Sequence, residues 1–200
     1  MSGDIEEIYR SSFAFEDYRA RMRVHVRAFD DVYERLAFVR EHETGKAPLG
    51  NCRILVLTED YCIDSVLNVP LIAHLAEASP GAGLRIASRD SHPELAGRFP
   101  GRGGMSRTPT AIFLNQLKQV PDYWSERSKS DHAWMTTFLA RDPMPALIIE
   151  NGSPTQTLGD WMKRRLASQL PFFETHSWRD ARDELSAIAS TDASPLLTRD

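Results

Sequence analysis

A short apolar run that turns abruptly into a helical pattern, with a cysteine at the change, constrains this chain more than any other stretch. Residues 53–65 read R-I-L-V-L-T-E-D-Y-C-I-D-S. Ile54, Leu55, Val56 and Leu57 form an unbroken branched apolar run, the pattern of a central strand covered on both faces. Thr58, Glu59 and Asp60 interrupt it with turn and N-cap chemistry. From Tyr61 onward apolar residues recur at three and four: Val66, Val69, Ala73 and Ala76, with Leu67, Leu71 and Leu75 on the adjacent stripe. Cys62 therefore falls where a buried strand hands over to a helix. Free N–H groups and the positive end of the helix dipole converge there and favour a thiolate.

Cys-x-x-Ser at the first turn (Cys62, Ser65), Pro70 eight residues on, and Thr108-Pro109-Thr110 ahead of an apolar run together resemble the thioredoxin superfamily. The string T-E-D-Y-C-I-D-S is similar to that of a bacterial branch reading T-E-D-W-C-G-D-S, with Tyr61 and Ile63 as the departures. The resemblance spans roughly Asn51 to Leu139. It implies an α/β class fold, thioredoxin-like and three-layered (α/β/α), with a central mixed sheet and added N- and C-terminal helices. It implies Cys62, Asp64 and Ser65 as the catalytic group, and Tyr61, Ile63, Arg107, Thr108 and Pro109 as the substrate-binding wall. It also implies a cis Pro109, whose geometry would turn the backbone of Thr108 outward for pairing with an extended substrate. Sequence alone predicts a trans bond there.

A dithiol oxidoreductase resolves its mixed disulfide with a second thiol. Ser65 stands in that place; it can hydrogen-bond a thiolate but cannot displace a sulfur. A redox cycle at Cys62 then needs an outside thiol, such as glutathione as a co-substrate, or a partner protein. The plainer reading of Ser65 is a cap on the first turn. Two effects oppose each other at the sulfur. A helix N-terminus favours an anion by about 0.3–1 kcal/mol, reaching ~2 in good geometry. Against it stand Glu59, Asp60 and Asp64, of which one carboxylate about 6 Å away costs ~0.7 kcal/mol in water and nearer ~3 at an effective dielectric of 20. Arg98, Arg102 and Arg107 are the cations that would offset this. Asp64 reads either as a surface or first-turn carboxylate complementing the helix dipole, or as a buried proton relay with a raised pKa. Ile63 stands where the resemblance expects glycine, and its bulk should narrow access to the backbone.

Two hundred residues with 42% apolar and 26% charged content suit one soluble domain with decorations. A net charge of −4 offers no basic field for nucleic acid. No apolar run is long enough to span a bilayer, and residues 1–10 lack a signal-peptide core, so the expectation is a cytoplasmic protein with neither nucleic-acid nor membrane partners. If residues 53–58 form a strand, Cys52 and Cys62 lie at its opposite ends, on the order of 20 Å apart. A disulfide needs Cα atoms within about 7 Å. Both cysteines are therefore expected to be unbridged, with Cys52 a packing residue. The six histidines (among them His25, at the edge of an apolar stripe) show no ligand-like spacing, and no metal is expected.

The single domain 1–200 divides into an N-terminal helical segment (1–48), a thioredoxin-like core (49–140) and a C-terminal helical extension with a frayed tail (141–200). In the first segment Phe15, Tyr18, Met22, Val26, Phe29, Tyr33 and Leu36 recur at helical spacing. Further strands are expected at Leu84–Ser88, Thr110–Leu114 and Val120–Trp124, the last at a sheet edge because of Pro121. A short helix is expected between Asp90 and Phe99, capped by Ser91, and longer ones over Ala133–Leu139, Leu158–Leu170 and onward from Trp178, the last capped by Ser177. Pro70 is expected to bend the helix that follows Cys62.

Three functions compete. The first is monothiol thiol–disulfide exchange with a disulfide-bearing protein or a low-molecular-weight thiol. The second is a binding module that keeps the fold without turnover. The third, a cysteine peroxidase, is weaker, because Thr58-x-x-x-Cys62 lacks the proline that the peroxiredoxin pattern of the superfamily supplies. An iron–sulfur cluster shared between subunits, as monothiol relatives of the superfamily hold, is a fourth and remoter one.

Overall fold

The computed structural model describes residues 2–114, 121–146, 148–150 and 153–190. The branched run after Cys52 forms β1 (Arg53–Thr58), fully buried from Ile54 onward. β2 (Gly83–Ser88) runs parallel to β1 on one side, and β3 (Thr110–Leu114) runs antiparallel on the other. β4 (Asp122–Ser125) closes the order β2-β1-β3-β4 by pairing antiparallel to β3. The expected last strand thus begins at Asp122, and Val120 lies outside the described residues. Beyond β2 the sheet edge carries one further antiparallel bridge, between Phe13 and Ile86.

Alternation along the strands divides the core in two. Ile54, Val56, Ala111, Phe113 and Trp124 face the larger cluster. Leu55, Leu57, Ala87, Ile112 and Leu114 face the smaller one, with Ile5 of α1 (Ser2–Ser11) and Leu95 and Ala96 of α6 (Pro93–Gly97). Helices cover both faces of a mixed sheet, which is a thioredoxin-like α/β arrangement.

On the larger face lies α5 (Ile63–Glu77), buried from Ile63 to Ala76. Its two apolar stripes explain why: one packs on the sheet, the other meets the outer helices α3 (Val26–Arg35) and α4 (Ala37–Glu43). Pro70 sits inside α5 and donates no backbone hydrogen bond.

Several boundaries differ from expectation for local reasons. The N-terminal stripe is broken between α2 (Phe15–Arg21) and α3, where His25 adopts φ 57°. That left-handed residue resets the helical phase, so Val26 is exposed while Val32 and Val39 enter the core. The N-cap of α6 is His92 rather than Ser91, whose hydroxyl instead donates to Ser88 Oγ at 3.2 Å. After α7 (Lys129–Arg141) and the two-residue strands β5 (Ile149–Glu150) and β6 (Ser153–Pro154), the chain enters α8 (Gln156–Phe172). A π-helical turn, Phe173–Ser177, carries it into α9 (Trp178–Ser190) without a break. Ser177 therefore caps nothing. Its hydroxyl donates to Asp131 Oδ1 at 2.9 Å. The expected frayed tail, Thr191–Asp200, lies outside the described residues.

Candidate active site

Cys62 is the N-cap of α5, with extended backbone (φ −91°, ψ 121°) and no side-chain cap bond. Its N–H donates to Glu59 O at 3.2 Å, and its carbonyl accepts from Val66 N at 3.1 Å. The half-buried thiol donates to the carbonyl of Thr108 at 3.4 Å, 46 residues away. The Thr108–Pro109 peptide is cis. Glu126 N donates to Pro109 O at 2.7 Å, which ties the end of β4 to the proline loop. Cys62 and Cys52 are not bridged to each other; Cys52 packs against the larger core cluster, its Sγ 3.6 Å from Ala189 O.

The carboxylates flanking Cys62 are all committed to structural bonds. Asp60 accepts from the backbone N–H groups of Arg23 and Val24 at 2.8 and 3.1 Å, holding the N-terminal helices to this loop. Glu59 accepts from Ser88 Oγ and Asp90 N, both at 2.8 Å, although burial pushes its carboxyl up.

Asp64 is the first-turn carboxylate of α5, but neither at the surface nor a proton relay. It is buried, at 4% exposure, so it is no surface carboxylate. Burial pushes the carboxyl up, but the Arg165 and Arg127 guanidiniums overcome this and hold it below the usual carboxylate range, so it is not a proton relay with a raised pKa either. Arg127 grips it in bidentate fashion, Nε to Oδ1 at 3.0 Å and Nη2 to Oδ2 at 2.7 Å. Arg165 reaches Oδ1 from α8. Arg127 also donates to Glu126 Oε1 at 2.6 Å, and Arg165 Nε donates to Gln169 Oε1 at 3.2 Å. Gln169 passes the network on to Asp131 Oδ1 at 3.0 Å, which the Ser177 hydroxyl shares.

Ser65, at 1% exposure, is not the cap of the helix, and its hydroxyl has no hydrogen-bond partner among the described residues. Tyr61 donates to Asp90 Oδ2 at 2.7 Å and accepts from Arg89 Nη2 at 2.9 Å. Burial, together with the bond to Asp90, pushes this phenol up to about 12 against the pull of Arg89, so it stays neutral.

Tyr61, Cys62, Ile63, Asp64, Arg107 and Thr108 line one cleft of about 640 Å³, whose lining does not include Ser65 or Pro109. The opposite side comes from α7 (His132, Met135, Leu139) and α8 (Trp161, Met162, Arg165). Arg102 joins the lining; Arg98 instead lies 3.8 Å from Asp4. Burial and the cations Arg127 and Arg102 push His132 down to about 4, which leaves a neutral imidazole in the cleft. Arg127, His132 and Arg165 escaped the sequence reading. In the sequence, Lys163, Arg164 and Arg165 read as one solvent-facing basic run opposite the apolar face of the helix. Among the described residues no three His, Cys, Asp or Glu side chains gather as a metal site requires.

A cysteine at a strand-to-helix turn, facing a Thr-Pro loop beside a mixed four-stranded sheet with helices on both faces, is a thioredoxin-like arrangement. A thioredoxin family model matches residues 12–141, and the chain belongs to that family. The match ends with α7, so α8 and its contributions to the cleft lie beyond it. No curated protein sequence matches the chain. Among solved structures, PA1234 of Pseudomonas aeruginosa, a protein of unknown function, superposes with a TM-score of 0.59 at 15% identity, over 94% of this chain and 98% of that one. An HIV epitope-scaffold superposes with a TM-score of 0.51 at 16% identity, over 81% and 94%. At these identities the likeness is one of fold. No helix among the described residues is long and apolar enough to cross a membrane.

Proposed function

We propose that this protein performs monothiol thiol–disulfide exchange at Cys62. The observation that carries the reading is the position of the sulfur: at the N-cap of α5, on the wall of a cleft, against the Thr108 carbonyl. The Cys62 thiolate attacks one sulfur of a disulfide, a mixed disulfide forms, and the other half leaves as a thiolate. Ser65 cannot close the cycle. A second, external thiolate, glutathione or a partner protein's cysteine, attacks the mixed disulfide, restores Cys62 and carries the oxidation away. Tyr61 and Ile63 flank the sulfur, while Arg107, Thr108 and Pro109 form the facing loop. Asp64 acts as a charged anchor for Arg127 and Arg165 rather than as an acid or base.

The test is adduct formation with 2-hydroxyethyl disulfide, followed by mass measurement. Cys62→Ser should abolish the adduct, and Cys52→Ser should leave it. A wild-type protein that forms no adduct from mildly acidic to alkaline pH would end the exchange reading. Ile63, packed at 2% exposure beside the sulfur, favours a non-catalytic binding module in that event.

A further inference from the structure

The cleft over Cys62 differs in charge from the protein around it. The chain carries a net −4. Yet five arginines and only two carboxylates line this cleft, a surplus of three positive charges, and His132 adds nothing because it is neutral. Three of the arginines are occupied. Arg127 and Arg165 hold Asp64, and Arg89 holds Asp90 and the Tyr61 hydroxyl.

Arg102 and Arg107 are not. Neither has a carboxylate within ion-pair distance among the described residues, and the Nε of Arg107 is buried without a hydrogen-bond partner. A buried N–H on a cation is costly to leave unmet, and a ligand oxygen would satisfy it. Met105, Met135, Leu139, Met144, Trp161 and Met162 give the cleft an apolar wall, with the hydroxyls of Ser106, Thr108 and Thr136 among them. A space of about 640 Å³ with apolar walls and a few convergent charged groups suits a small organic molecule.

Building on the exchange reading, we propose that the substrate of Cys62 is a low-molecular-weight disulfide or thiol bearing a carboxylate, which Arg102 and Arg107 anchor while its aliphatic part lies on the Met and Trp wall. Arginine suits this role because its planar fork matches a carboxylate. The two arginines belong to the loop that leads to Thr108, so anchoring there brings the substrate's sulfur towards Cys62.

Three disulfides of similar size separate charge from reactivity: 3,3′-dithiodipropionate (a dianion), 2-hydroxyethyl disulfide (neutral) and cystamine (a dication). Each rate at Cys62 is divided by the rate of the same disulfide with free 2-mercaptoethanol. The expected order is dianion, neutral, dication, with the dianion ahead of the neutral compound on the order of tenfold at low salt and less so at high salt. Arg102→Gln, at an exposed position that leaves folding intact, should shrink that lead, and adding Arg107→Gln should remove it. Equal normalised rates for all three would overturn the anionic selectivity and leave exchange standing. Failure of all three to react would end the exchange reading instead. Calorimetry then decides the anchor by itself: suberate, in which two methylenes replace the disulfide, should bind and octane-1,8-diol should not. Absence of suberate binding overturns the proposal.

Discussion

Arg165 of α8 ion-pairs with Asp64 in the first turn of α5, across 101 residues of chain and at 6% side-chain exposure on both sides. α8 is thereby bonded to the turn that carries Cys62, two residues from Asp64. Buried ion pairs of this kind contribute little net stability against an apolar replacement, but breaking one side leaves a stranded charge.

Asp64→Asn strands two guanidiniums, Arg127 and Arg165. It should lower unfolding stability by about 3–5 kcal/mol in a denaturant titration. Adding Arg165→Met removes one of the stranded cations, so the double variant should be less destabilised than the sum of the two single changes. Simple additivity would show that the pair does not interact energetically.

His132 makes stability depend on pH in a defined direction. Its folded pKa is about 4, below the ~6.5 of an unconstrained histidine. Between these values the unfolded chain takes up a proton that the folded site refuses, so its contribution is intact above pH ~6.5 and is lost as pH falls towards about 4. His132→Gln should flatten that part of the stability-against-pH curve. An unchanged slope would mean that the imidazole titrates normally in the fold.

Ser65→Cys places a thiol one turn into α5 from Cys62. The adduct at Cys62 should then collapse to an internal disulfide and release its small thiol, read as free thiol appearing after the adduct. A persistent adduct would show that position 65, at 1% exposure, cannot reach the sulfur.

Gly101 tests the seat of Arg107. A Cβ there would stand 2.5 Å from Arg107 Cγ and 3.0 Å from Ser125 Oγ. Gly101→Ala should cost ~1–3 kcal/mol through overpacking and should shift Arg107. Wild-type stability together with an unaltered preference for dithiodipropionate would show that the Arg107 stem yields freely.

The amino-acid sequence by itself determined β1, the helix after it and the placement of Cys62 between them. Each depends on short-range causes: a branched apolar run, turn residues, and apolar spacing at three and four. The double stripe of α5 is the local basis for its burial on both sides, which the packing of α3, α4 and the sheet completes. A left-handed residue is a short-range cause that apolar spacing does not reveal, and His25, with φ 57°, rephases the N-terminal helices. Only the tertiary structure decided what completes the site around Cys62. Asp64 reads as a surface or first-turn carboxylate, or as a proton relay, until Arg127, 63 residues on, and Arg165, 101 residues on, enclose it. Arg165 itself lies in a basic run, Lys163-Arg164-Arg165, whose first two members are exposed while the third is buried. The turn of α8 selects one of three cations for the interior, and that selection depends on the fold around it. Burial and charge pairing are properties of the packed chain, so the wall that α7 and α8 add, and the partners of Asp64, are set only by their packing against α5.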